Sequence, residues 1–160
     1  MSDMSEYCLL LRKDLTGPLA TVHWPADVSL VALDENLMQP VHALLSQGYS
    51  DGSGNIDSFE KWHRSLLHDA EYDPQLCLIA MRSGVVVGVA QGWTSAYLKD
   101  LVVHAGHQGQ GIGQALLARM FAVYAQRGEP CVDLKVMEDN TKARRLYERA
   151  GMVQVKRIEL

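Results

Sequence analysis

The sequence predicts one α/β domain on a mixed, mostly antiparallel sheet flanked by helices, and three observations predict it. The hydrophobic period switches repeatedly between two and 3.6, in the order strand, two helices, three strands, helix, strand, helix, strand. The chain has 160 residues, 48% hydrophobic and 21% charged, the size and composition of one globular domain rather than a disordered or fibrous chain. Neither a repeat nor a low-complexity tract interrupts it, and the marked Pro and Gly punctuation falls near the start. Residues 1–24 therefore read as an N-terminal extension and 25–160 as the domain.

In the extension, Tyr7 to Leu11 and Leu19 to Trp24 read as two short extended runs around Thr16, Gly17 and Pro18, a hairpin packed on the same sheet. Val28 to Leu33 is a strand. Asp34 then caps a helix carrying Leu37, Met38, Val41, Leu44 and Leu45, which ends near Gly48. A polar loop from Tyr49 to Asp57 leads to Ser58, the cap of a second helix with Phe59, Trp62, Leu66 and Leu67 on one face. Leu76 to Met81, Val85 to Trp93 and Tyr97 to His104 form an antiparallel meander, its first turn at Ser83 and Gly84. Ile112, Leu116, Leu117, Met120, Phe121 and Tyr124 mark a long amphipathic helix stopped by Gly128 and Pro130. Cys131 to Met137 is a strand, Asn140 caps a helix with Ala143, Leu146, Tyr147 and Ala150, Gly151 stops it, and Met152 to Leu160 closes the sheet.

Charge and composition remove several functions. The net charge is −4 with no basic run, so nucleic acid is not an expected partner. No apolar stretch approaches the ~18 residues of a membrane helix, and the first residues are acidic where a signal peptide is basic, so a cytoplasmic protein without a membrane partner is expected. The three cysteines, Cys8, Cys77 and Cys131, read as reduced, buried core residues. Among the histidines, His104 with His107 and His63 with His68 lack a Cys or carboxylate at metal-ligand spacing, so no metal site is expected.

The segment from Leu101 to Leu117 runs from a strand through a glycine-dense turn into a helix. Glycines at 109, 111 and 113 let the backbone approach a ligand, and free N–H groups at a helix start favour an anion. A plain turn or cap is the alternative. Gln114 and Leu116 break the dinucleotide fingerprint, and no Gly-Lys-Ser/Thr follows for a Walker A loop.

Gln108-Gly109-Gln110-Gly111-Ile112-Gly113, preceded by Leu101 and Val103, resembles the pyrophosphate loop of the GNAT superfamily of acyl-coenzyme A-dependent N-acetyltransferases. Asn140, Ala143, Leu146, Tyr147, Gly151 and Met152 are similar to that family's second signature, in the expected order. The resemblance runs from about Val28 to the C-terminus. It implies that acetyl-coenzyme A is the co-substrate, with the backbone of Leu101, Val102 and Val103 pairing with its pantetheine arm in a gap between splayed middle strands. The N–H groups of Gln108, Gly109, Gln110, Gly111, Ile112 and Gly113 would hold the pyrophosphate, Asn140 would contact the arm, and an N–H near Val103 would polarise the thioester carbonyl. Tyr147 would be the general acid for the leaving thiolate.

Two rival readings are bland. Asn140 is by default a helix cap, a role compatible with the first, and Tyr147 could be an ordinary half-buried tyrosine. Phe59 and Trp62 read as core rather than a substrate cage.

The sequence departs from the family in three places. Tyr97 stands where many members carry a basic glutamate, and strand alternation puts Asp100 on the face opposite Tyr97 unless a bulge intervenes, which leaves the base unassigned. Ala105 replaces a stiffening proline. After Gly151 nine residues remain, enough for one strand where the family has two, so the N-terminal hairpin or the partner in a homodimer is expected to complete the sheet. The resemblance implies direct transfer of acetyl to a primary amine, preferably of a small molecule, in a site shaped by the Tyr49 to Ser58 loop with Asp51 and Asp57 and by the region around Trp93. A protein-amine acetyltransferase and a non-catalytic coenzyme A sensor are the alternatives.

Overall fold

The computed structural model describes residues 6–49 and 56–160. Its strands are β1 (Tyr7–Asp14), β2 (Val28–Ala32), β3 (Cys77–Arg82), β4 (Val85–Trp93), β5 (Tyr97–Val103), β6 (Cys131–Met137) and β7 (Val153–Glu159). Its helices are α1 (Met38–Gly48), α2 (Phe59–His68), α3 (Ile112–Gln126) and α4 (Thr141–Arg149). The strands form one sheet in the order β2-β3-β4-β5-β6-β1-β7, antiparallel throughout except where β5 meets β6.

The local signals act as expected at most boundaries. The Asp34 carboxylate accepts from the Asn36 N–H and starts a 3-10 turn at Glu35–Leu37 that leads into α1. Asn140 Oδ1 accepts from the Ala143 N–H at 3.2 Å, and Gly128 and Gly151, both at positive φ, end α3 and α4. Burial divides into two clusters, one on each face of the sheet. Leu116, Met120, Tyr124 and Tyr147 from α3 and α4 pack with Leu9, Leu11 and Leu98. Val41, Leu45, Trp62 and Leu66 from α1 and α2 pack with Ile79, Val89 and Val102, so Trp62 is core and Phe59 lies against it.

The expected N-terminal hairpin does not form. Leu19 to Trp24 is not a strand, although Leu19 and Trp24 pack against the core. The reason is topological: β1 lies between β6 and β7, with Leu9 opposite Val136 on one side and Arg157 on the other, and this leaves no free edge for a second arm. Cys131 is also less buried than expected, while Cys8 and Cys77 are buried; all three are free thiols.

A bulge re-aims the middle of β5. Gln91 of β4 pairs with Asp100, but the next residue, Gly92, pairs with Leu98, so Lys99 is an extra residue. Leu98 and Val102, four residues apart, would share a face in a regular strand; here they enter opposite core clusters. The bulge therefore moves Asp100 to the α1/α2 face, the face Tyr97 occupies, which corrects the alternation argument.

Candidate active site

β5 and β6 are neighbours through a single pair, Tyr97 with Asp133, and then diverge, as parallel strands whose ladder is not continued. The gap opens a cleft of about 810 Å³ that Leu101, Val102 and Val103 line from β5, and Leu134, Val136 and Met137 line from β6. Backbone groups on diverging strands need partners, and the gap has the form that an extended, amide-containing ligand could fill.

At one end of the cleft the chain passes through a 3-10 turn, Ala105–His107, into the glycine loop. Gly109 has φ +76° and Gly111 φ +91°, left-handed values that a side chain would strain. Gly111 precedes α3 without a side-chain cap, so the first N–H groups of a 15-residue helix face outward unpaired by any side chain. Gln108 stiffens the entry: its amide donates to the Val103 carbonyl at 3.1 Å and its oxygen accepts from Lys142. Gln108, Gly109, Gly111, Ile112, Gly113 and Asn140 all line the cleft, whereas Gln110 lies outside it. Gln110 instead accepts from Arg82 at 2.7 Å, and Arg82 also reaches His107 and Asp27, which ties the loop to β3.

The charged residues lining the cleft are Lys99, Lys135, Lys142 and Arg149. Four cations and no carboxylate give the cleft a positive lining in a chain of net charge −4, which favours an anionic ligand. Lys142 and Arg149 were not singled out in the sequence, although with Leu146 they recur at helical spacing on α4, which was the readable signal.

Tyr147 lines the cleft from α4 and is 9% exposed. Burial, with the nearby Asp100 carboxylate, raises its phenol from 10.0 to about 12. It is a protonated hydroxyl at neutral pH. Tyr49, at the end of α1, lines the same cleft and donates to Asp100 Oδ1 at 2.6 Å. Tyr49 packs with the α1/α2 core and Tyr147 with the α3/α4 core, so the cleft passes through the sheet where β5 and β6 part.

Of the expected acceptor region, Asp51 lies outside the described residues. Asp57 is exposed, 3.7 Å from Lys61, and Lys99 stands over the Trp93 ring at 5.7 Å. No cluster of three metal-ligating side chains occurs among the described residues, and among them no helix is long and apolar enough to cross a membrane.

The sequence pattern of the acetyltransferase (GNAT) family matches residues 39–152. An acetyltransferase of Yersinia enterocolitica is 36% identical over 83 residues, which are 49% of this chain and 57% of the relative. A GCN5-related N-acetyltransferase from Sphaerobacter thermophilus superposes with a TM-score of 0.85 at 27% identity, over 97% of this chain and 50% of that one. The diaminobutyrate acetyltransferase of Paenibacillus lautus, solved with L-2,4-diaminobutyric acid and coenzyme A, shares the fold with a TM-score of 0.63 at 24% identity, over 78% of this chain and 75% of that one. The chain thus spans about half the length of the first two. The match over residues 39–152 takes in every element of the cleft except β1, and on that ground the chain belongs to the acetyltransferase (GNAT) family.

Proposed function

We propose that the chain is an N-acetyltransferase that moves the acetyl group of acetyl-coenzyme A directly to a primary amine of a small molecule. One observation carries the reading: a buried, protonated Tyr147 lines the same cleft as an uncapped helix start with two left-handed glycines. A proton donor and an anion cradle in one gap are what a coenzyme A thioester needs. The pyrophosphate lies on the α3 N-terminus with Lys142 and Arg149 nearby, and the pantetheine arm follows β5. The neutral amine attacks the thioester carbonyl, the C–N bond forms, and the C–S bond breaks. Tyr147 gives its proton to the leaving sulfur, and the proton released by the nitrogen replaces it. Cys77 is buried outside the cleft and its thiol is pushed up to about 12, so it is no candidate for an acyl-cysteine intermediate.

The preference for a small amine is supported by a same-fold neighbour solved with a small diamine substrate. The test is thiol release from acetyl-coenzyme A over a panel of polyamines, amino acids, aminoglycosides and lysine peptides. Release with small amines and not with peptides is the expected result; release with peptides alone overturns the small-molecule reading, and release with none overturns the transferase.

A further inference from the structure

Among the described residues, two polar side chains are buried within the core, Gln91 at 1% and Asp100 at 4% exposure, and they stand directly opposite each other on β4 and β5. A carboxylate is costly to bury unless its environment uses it. Asp100 is aimed by the bulge at Lys99 toward the end of α1, where Tyr49 donates to Oδ1 at 2.6 Å while Lys99 Nζ lies 3.3 Å from Oδ2. Tyr49 lines the cleft and Asp100 does not, so Tyr49 stands between the carboxylate and anything bound there.

We propose that Tyr49 and Asp100 form the proton outlet for the acceptor amine, Tyr49 touching the ammonium and Asp100 holding the proton behind it. This deepens the transferase reading and rests on it. The ammonium N–H passes its proton to Tyr49 Oη as the Tyr49 proton moves to Asp100 Oδ1. The sum is a neutral amine and a neutral Asp100, with Tyr49 unchanged; Asp100 later returns its proton to solvent. Tyr49 is a conductor rather than the base itself, because burial and the facing carboxylate push its phenol far above its ordinary value and keep it protonated. Other ionisable groups around Asp100 fit the assignment. They are Tyr97 and Lys99 on its own strand, Tyr147 from α4 and Cys77 from β3, and the thiol and the phenols are neutral at pH 7. Lys99 alone adds charge beside the carboxylate.

The experiment compares two nucleophiles in thiol release from acetyl-coenzyme A: ethylamine, protonated at pH 7, and hydroxylamine, already neutral there. Asp100→Asn and Tyr49→Phe are each expected to lose about 100-fold in kcat/KM on ethylamine and only a few-fold on hydroxylamine. With ethylamine, kcat/KM of either variant should climb tenfold per pH unit toward the amine's own pKa near ~10, whereas the unaltered protein reaches its plateau earlier. Acetyl-coenzyme A titration by calorimetry confirms that each variant is folded, and the two variants check each other. Equal losses on both nucleophiles with parallel pH profiles overturn the outlet and leave the transferase standing. An unaltered protein that releases thiol neither to these nucleophiles nor to any amine of the panel overturns both.

Discussion

The hydroxyl of Tyr124 donates to the Trp93 carbonyl at 2.7 Å, and it lies where a side chain on Gly92 would begin: a Cβ there would collide with Oη. This contact pins α3, which carries the glycine loop, to the strand opposite β5. Gly92→Ala should cost about 1–3 kcal/mol through overpacking. Tyr124→Phe removes the clashing atom, so the double variant should lose less than the sum of the two. Urea denaturation of the four proteins measures the coupling, and strict additivity would show that Gly92 is not there for Tyr124.

Replacing Leu9 tests the place of β1. Leu9 is 1% exposed in the α3/α4 core and belongs to a strand bonded on both sides. Leu9→Ala should cost about 2–5 kcal/mol, and removal of residues 1–24 should abolish the cooperative melting transition, because β6 and β7 lose their shared neighbour. A truncated chain with an unchanged melting curve would contradict the sheet order.

Tyr147→Phe should lower thiol release by about 10²-fold or more while acetyl-coenzyme A binding, read by calorimetry, changes little. With the phenol at about 12, the unaltered protein should keep its rate across the region near pH 10 where an ordinary tyrosine ionises. An alkaline fall centred on that ordinary value would remove Tyr147 from the role of acid.

Stability should fall in alkali, and the direction follows from the same burial. Cys77 is raised from 9.0 to about 12 and Tyr147 from 10.0 to about 12, so above pH 9 the unfolded chain gives up protons that the folded chain retains. Fewer bound protons in the unfolded state mean that unfolding becomes easier as pH rises. The contribution is complete below about pH 9 and lost progressively up to about 12. Urea midpoints measured from neutral pH upward should decline from about pH 9; a flat or rising series would count against these two buried groups.

Lys142→Ala and Arg149→Ala should each weaken acetyl-coenzyme A binding and reduce its dependence on salt, since each removes a cation beside the polyphosphate. Calorimetric titrations at two ionic strengths read both effects. Unchanged affinity in both variants would move the phosphates away from α4.

The sequence by itself determined the element order and the glycine turn at the start of α3, because both are local. Periodicity placed ten of the strands and helices between Val28 and Leu160, and the glycines at 109, 111 and 113 marked a tight turn before a helix start, the first two of which the structure holds at positive φ. The family resemblance singled out Tyr147 and Asn140, and the structure brings both to the cleft from one helix and its cap. Tertiary structure alone decided the rest. That β1 would be sandwiched by β6 and β7, rather than fold on itself as a hairpin, depends on pairings more than a hundred residues distant in sequence. The bulge at Lys99 is a register event between two strands, invisible in either strand alone, yet it swings Asp100 across the sheet to meet Tyr49. Local preference wrote the elements and the glycine turn; long-range pairing decided which carboxylate Tyr49 meets.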